Sequence, residues 1–266
     1  MTATMRTQPP PAAARTRGTT ARDVWIVFQR QGRLVLRRPA LILFGMLQPV
    51  LYLALFSPLL EGLGGPTGEG SWRWFVPGLL VMLALFASGF AGFGLLPELA
   101  SGAHERLLVS PVSRVALLLG RVLADAAMMF TQMLLILALV VAFGLRIPPL
   151  GAVVGLALLV VLGVGLSTLS YLVALAVRQT YVFAPIVQGA LMPLMLLSGV
   201  LLPMDLAPGW LYALSRLNPV SYVVDAERAL FAGEWGPAVG VGWAVALGLA
   251  VVALAVGGRA VRGSAR

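Results

Sequence analysis

Groups able to act as acid, base, nucleophile or metal ligand are few in this chain and far apart. It has one histidine (His104), ten carboxylates and nineteen arginines, with no lysine and no cysteine. Without lysine there is no GxxxxGKS or GxxxxGKT phosphate loop and no Schiff base. Without cysteine there is no disulfide, thiolate nucleophile or zinc ribbon. A single histidine excludes an HExxH metal site. No carboxylate pair, nucleophile–base pair or metal-ligand cluster occurs along the sequence, so it assigns no catalytic residue, no metal and no cofactor. The polar groups inside apolar runs are Gln48, Asp125, Gln132, Ser167, Ser170, Tyr171 and Gln188. An intramembrane acid is by default a functional candidate. Asp125, however, lies one helical turn from Arg121, and i,i+4 geometry predicts a local ion pair at the cytoplasmic surface. That pairing argues against a proton-relay carrier.

The elements around these groups are membrane spans. Of 266 residues, 59% are hydrophobic and 11% charged, where a soluble domain carries about 25% charged. The mean hydropathy is +0.94. A helix crosses the hydrocarbon with about 20 apolar residues. Six charge-free stretches meet that length: Arg38 to Glu61, Arg73 to Glu98, Asp125 to Arg146 (starting earlier, near Ala116), Arg146 to Arg178, Arg178 to Asp205, and Glu234 to Arg259. Barrel strands alternate and are about half as long, so the fold expected is all-α, integral to the membrane, with six transmembrane helices. The net charge of +9 does not form a nucleic-acid footprint, because the arginines sit between apolar runs and not along one polar face.

With the N-terminus inside, fifteen arginines are cytoplasmic and Arg73, Arg146, Arg216 and Arg228 are outside. The positive-inside rule therefore places both termini in the cytoplasm. Residues 1–19 contain a proline triplet and no apolar core, which excludes a secretory signal and reads as a disordered cytoplasmic arm. Residues 20–38 read as an amphipathic helix: Val24, Phe28, Gln31 and Val35 recur at helical spacing with Trp25 and Leu34 beside them, and the arginines lie off that stripe. Such a helix suits the membrane interface. Residues 259–266 form a basic cytoplasmic tail.

Two connections are long. The inner one, 98–114, carries a short polar helix around Glu105 and Arg106, ended by Ser110-Pro111, because the residue before proline avoids the helical region. Held between two spans, it is either a rigid lever or a solvated loop. The outer one, 203–234, is too polar to span, yet it carries apolar residues at helical spacing and breaks at Pro208-Gly209 and Asn218-Pro219. It predicts two short re-entrant helices between spans 5 and 6, with Trp210 and Tyr222 as interfacial anchors. Asp225 and Arg228 read equally as an i,i+3 surface pair or as part of a gate. Gly151, Gly155, Gly163 and Ser167 give the fourth span small residues for close helix packing, expected within the subunit.

Two motifs give the long connections an identity. The first is Gly102-x-x-Glu105-Arg106-Leu107-Leu108-Val109-Ser110-Pro111-Val112-Ser113-Arg114, followed by Leu118-Leu119-Gly120-Arg121. The second runs from Leu197-Ser198-Gly199-Val200-Leu201-Leu202-Pro203 through Leu206-Ala207-Pro208-x-Trp210-Leu211 and Leu217-Asn218-Pro219 to Tyr222-Val223-Val224-Asp225-Ala226-x-Arg228. Over residues 20–258 the chain resembles the permease subunit of type-2 ABC exporters, and within them the daunorubicin/doxorubicin-resistance branch. Relatives carry further acids just before the first glycine; Leu99 and Ala100 stand there in this chain, leaving Glu98 and Glu105.

The resemblance implies a protein that hydrolyses no ATP itself, sits in a bacterial plasma membrane and pairs with a separate ATP-binding cassette subunit. A second permease copy, as a homodimer, and membrane lipids would complete the assembly. It implies that Gly102, Glu105, Arg106, Pro111 and Arg114 form the coupling helix and its return into the membrane. Gly199, Pro203, Asn218, Pro219, Tyr222, Asp225 and Arg228 would shape the exit. The function implied is ATP-driven export of hydrophobic or amphipathic drugs or antibiotics. Other readings are a lipid-linked glycan or polymer as cargo, an ATP-independent secondary transporter, and a membrane scaffold without transport.

Overall fold

The computed structural model describes residues 19–36, 39–63, 69–103, 113–201 and 204–263. Ten α-helices run through them: α1 Thr19–Leu36, α2 Pro39–Leu63, α3 Glu69–Gly89, α4 Leu96–Ala100, α5 Arg114–Ala142, α6 Pro149–Val177, α7 Thr180–Leu197, α8 Gly209–Ser215, α9 Pro219–Ala232 and α10 Pro237–Gly263. Two short 3-10 segments, Ala91–Leu95 and Met204–Leu206, complete the set, and no strand occurs among the described residues. Five segments are long and apolar enough to cross a membrane: Trp72–Ala100, Arg114–Ala142, Pro149–Val177, Thr180–Leu197 and Pro237–Val261. The expected first span falls on α2, whose described apolar stretch, Gly45–Phe56, is shorter than a span. The expected N-terminal arm, apart from Thr19, lies outside the described residues.

Helix α6 is the centre of the bundle and touches α3, α5, α7, α9 and α10. Its valine- and leucine-rich sequence has no polar side, which suits a helix surrounded by others; Leu158, Leu159 and Leu162 are fully buried. In lipid no hydrophobic gradient draws helices together, so small residues that admit close backbone approach take that role. A methyl group on Gly151 would run into the Leu230 carbonyl oxygen of α9, and one on Gly165 would lie 3.1 Å from the Ala250 Cα of α10. Gly163 faces the Met129 side chain of α5. The small residues of α6 thus serve contacts within the subunit, but they face several neighbours and do not form one stripe.

The second span does not continue straight to Glu98. Helix α3 ends at Gly89 and the chain winds through the 3-10 turn before α4. The cause is Ser170 of α6: its hydroxyl donates to the Gly89 carbonyl and accepts the Gly92 N–H at 2.9 Å. A side chain inserted into the helical ladder is a standard origin of such a break. It sets the direction of α4 and of Glu98 upon it.

Helix α1 packs on α5 along the face of the expected stripe, where Val24, Phe28 and Gln31 are half-buried. Val27 is the buried side chain, against Gly120 of α5, while Trp25 is 57% exposed. The third span starts at Arg114, two residues before the expected boundary, where Ser113 caps it by accepting the Ala116 N–H at 3.1 Å. Helix α10 runs to Gly263, so Arg259 and Arg262 of the expected tail are helical.

Candidate functional site

The outer hairpin is assembled around Asn218. Its side-chain oxygen accepts the Val220 N–H at 3.0 Å and caps α9, with Pro219 as first helical residue. Its amide nitrogen donates to the Leu194 carbonyl at 2.7 Å. Leu194 lies in the last turn of α7, where carbonyls have no partner within the helix. One buried side chain therefore satisfies the start of α9 and the end of α7 together. Ser221 donates to the carbonyl of Ser215 and Tyr222 to that of Arg216, the latter at 2.9 Å, closing the α8–α9 turn.

The hairpin's charges pair differently from the i,i+3 expectation. Asp225 binds Arg216 at 2.7 Å, and that guanidinium lies over the Tyr212 ring, 4.8 Å from its centroid. The Asp225 hydrogen bond holds the Arg216 guanidinium above its ordinary range. Arg228 donates instead to the Gly199 carbonyl at 2.7 Å and sits 4.1 Å over the Trp74 ring of α3. Gly199 has φ +79°, a left-handed turn that favours glycine. The Val200 carbonyl after it fits against Gly78, where a methyl group would stand 2.7 Å away. Of the seven expected exit residues, Gly199, Asn218 and Arg228 meet at this corner of α3, α7 and α9; Pro219 opens α9, Tyr222 and Asp225 bind Arg216 in the α8–α9 turn, and Pro203 lies outside the described residues.

At the other end of the bundle, the described part of the inner connection runs to residue 103 and resumes at 113. Gly102 adopts φ +68° directly after α4, the left-handed turn that ends many helices. Arg114 opens α5. Glu105, Arg106 and Pro111 lie outside the described residues. The expected Arg121–Asp125 pair is not formed. Arg121, 5% exposed, pairs with Glu98 of α4, and Asp125 accepts a hydrogen bond from the Tyr171 hydroxyl of α6 at 2.5 Å. Helical side chains lean toward the N-terminus, so Arg121 reaches back to α4, which the Ser170 break brings within range. Both ends of the inner connection are thereby tied to the bundle core.

Among known proteins, the model for the ABC-2 type transporter matches residues 22–232. The chain belongs to that family. The permease is 29% identical over 214 residues to a protein named as transport permease ycf38 of Cyanophora paradoxa, a match covering 79% of this chain and 74% of that one. It is 25% identical over 212 residues to the daunorubicin resistance ABC transporter permease protein DrrB1 of Streptomyces coeruleorubidus, covering 78% and 74%. It is 27% identical over 188 residues to a protein named as a doxorubicin resistance ABC transporter permease, DrrC, of Mycobacterium tuberculosis (strain ATCC 25618 / H37Rv), covering 70% and 68%. The family is the membrane component of ABC transporters and is not itself catalytic. Members work with an ATP-binding cassette subunit.

Sequence reasoning missed two features of the permease. Trp74 and Arg216 complete the outer corner, and neither spacing nor residue type ties them to residues so distant along the chain. Glu227 of α9 is fully buried, and neither carboxylate oxygen has a hydrogen-bond partner among the described residues. It faces Gly155, where a methyl group would lie 2.5 Å from its oxygen. Burial pushes this carboxyl up to about 8. Its signal was legible: Glu227 stands four residues after Val223 and three before Leu230, on the apolar stripe of α9.

Proposed function

We propose that this permease is the membrane half of an ATP-driven exporter of hydrophobic or amphipathic molecules in a bacterial plasma membrane. A separate ATP-binding cassette subunit docks on the segment around Glu105 and Arg106, and two permease copies enclose the path. Each copy has six spans, with α2 the first, α1 at the inner interface, both termini in the cytoplasm and α8–α9 re-entrant from the outer face. Residues 20–258 act as one permease domain.

The observation that carries this reading is the bracing of the inner connection. On its near side, Glu98 is locked to Arg121 and the Ser170 break fixes the direction of α4; on its far side, Ser113 caps α5. A push on such a segment moves α3 and α5 together instead of dissipating in a loop. The outer corner is built to answer that movement, because Asn218, Arg228 and Gly199 bind α9 to α7 and the turn after it. Gly199, Pro203, Asn218, Pro219, Tyr222, Asp225 and Arg228 would shape the exit. The drug-resistance names of two relatives support amphipathic drugs as cargo.

The test is co-purification of the tagged, full-length permease with an ABC ATPase from its native membrane. The reading expects retention of that partner by wild type and its loss in Glu105→Arg/Arg106→Glu. Retention by the charge-reversed variant, or no ATPase partner with wild type, overturns it.

A further inference from the structure

A cavity of about 270 Å³ lies between α2, α3 and α5, lined among others by Gln48, Met82, Phe86, Asp125, Met128 and Gln132. On the proposed topology it sits in the inner-leaflet half of the bundle. Among the described residues Asp125 is the only ionisable side chain on its wall. The acid forms no salt bridge among the described residues: Arg121, whose charge lies near enough to act on it, is bound to Glu98, and the hydrogen bond to Asp125 comes from Tyr171, a neutral donor. A carboxylate held in an apolar site is stable only when neutralised or paired. The cavity offers the place where a pairing cation would stand.

We propose that this cavity receives the protonated amine of an amphipathic substrate, with Asp125 as its counter-ion; the assignment deepens the export reading and rests on it. The ammonium would donate to Asp125, with Gln48, Gln132 and Phe86 on the same wall. Met82 and Met128 supply an adaptable apolar wall suited to varied carbon skeletons. Drug-sized pockets measure about 300–1,000 Å³, so this one holds an amine head and the adjoining ring while the rest of the molecule extends toward lipid. Tyr171 positions Asp125 and leaves its other oxygen for the ligand. Asp125 thus selects for charge, and the methionines impose little selection on shape.

The test is binding of tritiated 4-phenylbutylamine and of uncharged 4-phenylbutan-1-ol to the full-length permease in phosphatidylglycerol nanodiscs, with empty discs as background. Wild type is expected to bind the amine at least tenfold more tightly than the alcohol. Asp125→Asn, of nearly the same shape, should abolish that preference and leave alcohol binding unchanged. An amine preference that survives Asp125→Asn, or its absence in wild type, overturns the proposal. A measurement on wild type alone guards against misfolding of the variant: the amine, and not the alcohol, should protect Asp125 from dicyclohexylcarbodiimide, read by mass spectrometry. Lack of protection overturns the proposal equally. Loss of amine binding on adding phosphatidylethanolamine would assign the cavity to a lipid headgroup and overturn its role as a substrate site. None of these results depends on an ATPase, so the export reading can stand or fall separately by the co-purification test.

Discussion

Replacing Asn218 should weaken the outer hairpin more than any exposed change in it, because one side chain closes two helix ends. Asn218→Ala removes the α9 cap, a loss of about 1 kcal/mol. It also strands the part-buried Leu194 carbonyl, at about 1–3 kcal/mol. The sum is about 2–4 kcal/mol. Asn218→Ser keeps a capping oxygen and loses only the donor to Leu194, so it should cost less. Asn218→Asp keeps the cap but points a carboxylate at the Leu194 oxygen, 2.7 Å from where the amide nitrogen now stands. It should be the most damaging of the three, although Asp is a good cap on an isolated helix. The assay is SDS-driven unfolding in mixed micelles, followed by tryptophan fluorescence. Stabilities falling in the order Ser, Ala, Asp support the double cap. An Asp variant as stable as wild type, or an Ala variant within about 0.5 kcal/mol of it, would refute the reasoning.

The same assay checks three other expectations. Gly151→Ala should destabilise by about 1–3 kcal/mol, since its methyl group meets the Leu230 backbone, whereas Gly189→Ala, with nothing within 4 Å, should be neutral or stabilising. Removing Glu98 as Glu98→Gln leaves a buried Arg121 unpaired, at about 3–5 kcal/mol. The half-exposed Arg216–Asp225 pair should show a double-mutant coupling below about 1 kcal/mol. Glu227 predicts a pH dependence. Its carboxyl titrates near 8 when folded against an ordinary 4.5, so between those values the folded state holds a proton that the unfolded chain has released. Stability should therefore fall as pH rises through that window, by up to about 1.4 kcal/mol per unit, and level off above it. Glu227→Gln should remove the slope; an unchanged slope contradicts the assignment.

Five of the six expected spans were legible because apolar length is a strong signal that needs no knowledge of neighbours. The helix boundaries at Pro208-Gly209 and Asn218-Pro219 were legible too, since proline, asparagine and glycine each impose a local backbone geometry. Pairing across helices was not. The Arg121–Asp125 expectation used the nearest turn on the same helix. The pairing found depends on Ser170, which breaks the second span and turns Glu98 toward Arg121. Arg228 lies i+3 from Asp225, yet it binds Gly199 and Trp74 instead. Sequence proximity cannot rank such partners against groups brought in by the fold. Residue types marked the outer corner, while the contacts that close it came from tertiary packing.

ATP-dependent transport by the purified permease, in sealed vesicles with and without its co-purifying ABC ATPase, tests the central claim most directly. The probe is rhodamine 6G, an amphipathic dye. The account predicts ATP-driven dye movement only when both proteins are present, and its loss with Glu105→Arg/Arg106→Glu. Uphill movement by vesicles containing the permease alone, or undiminished movement with the charge-reversed variant, would contradict it.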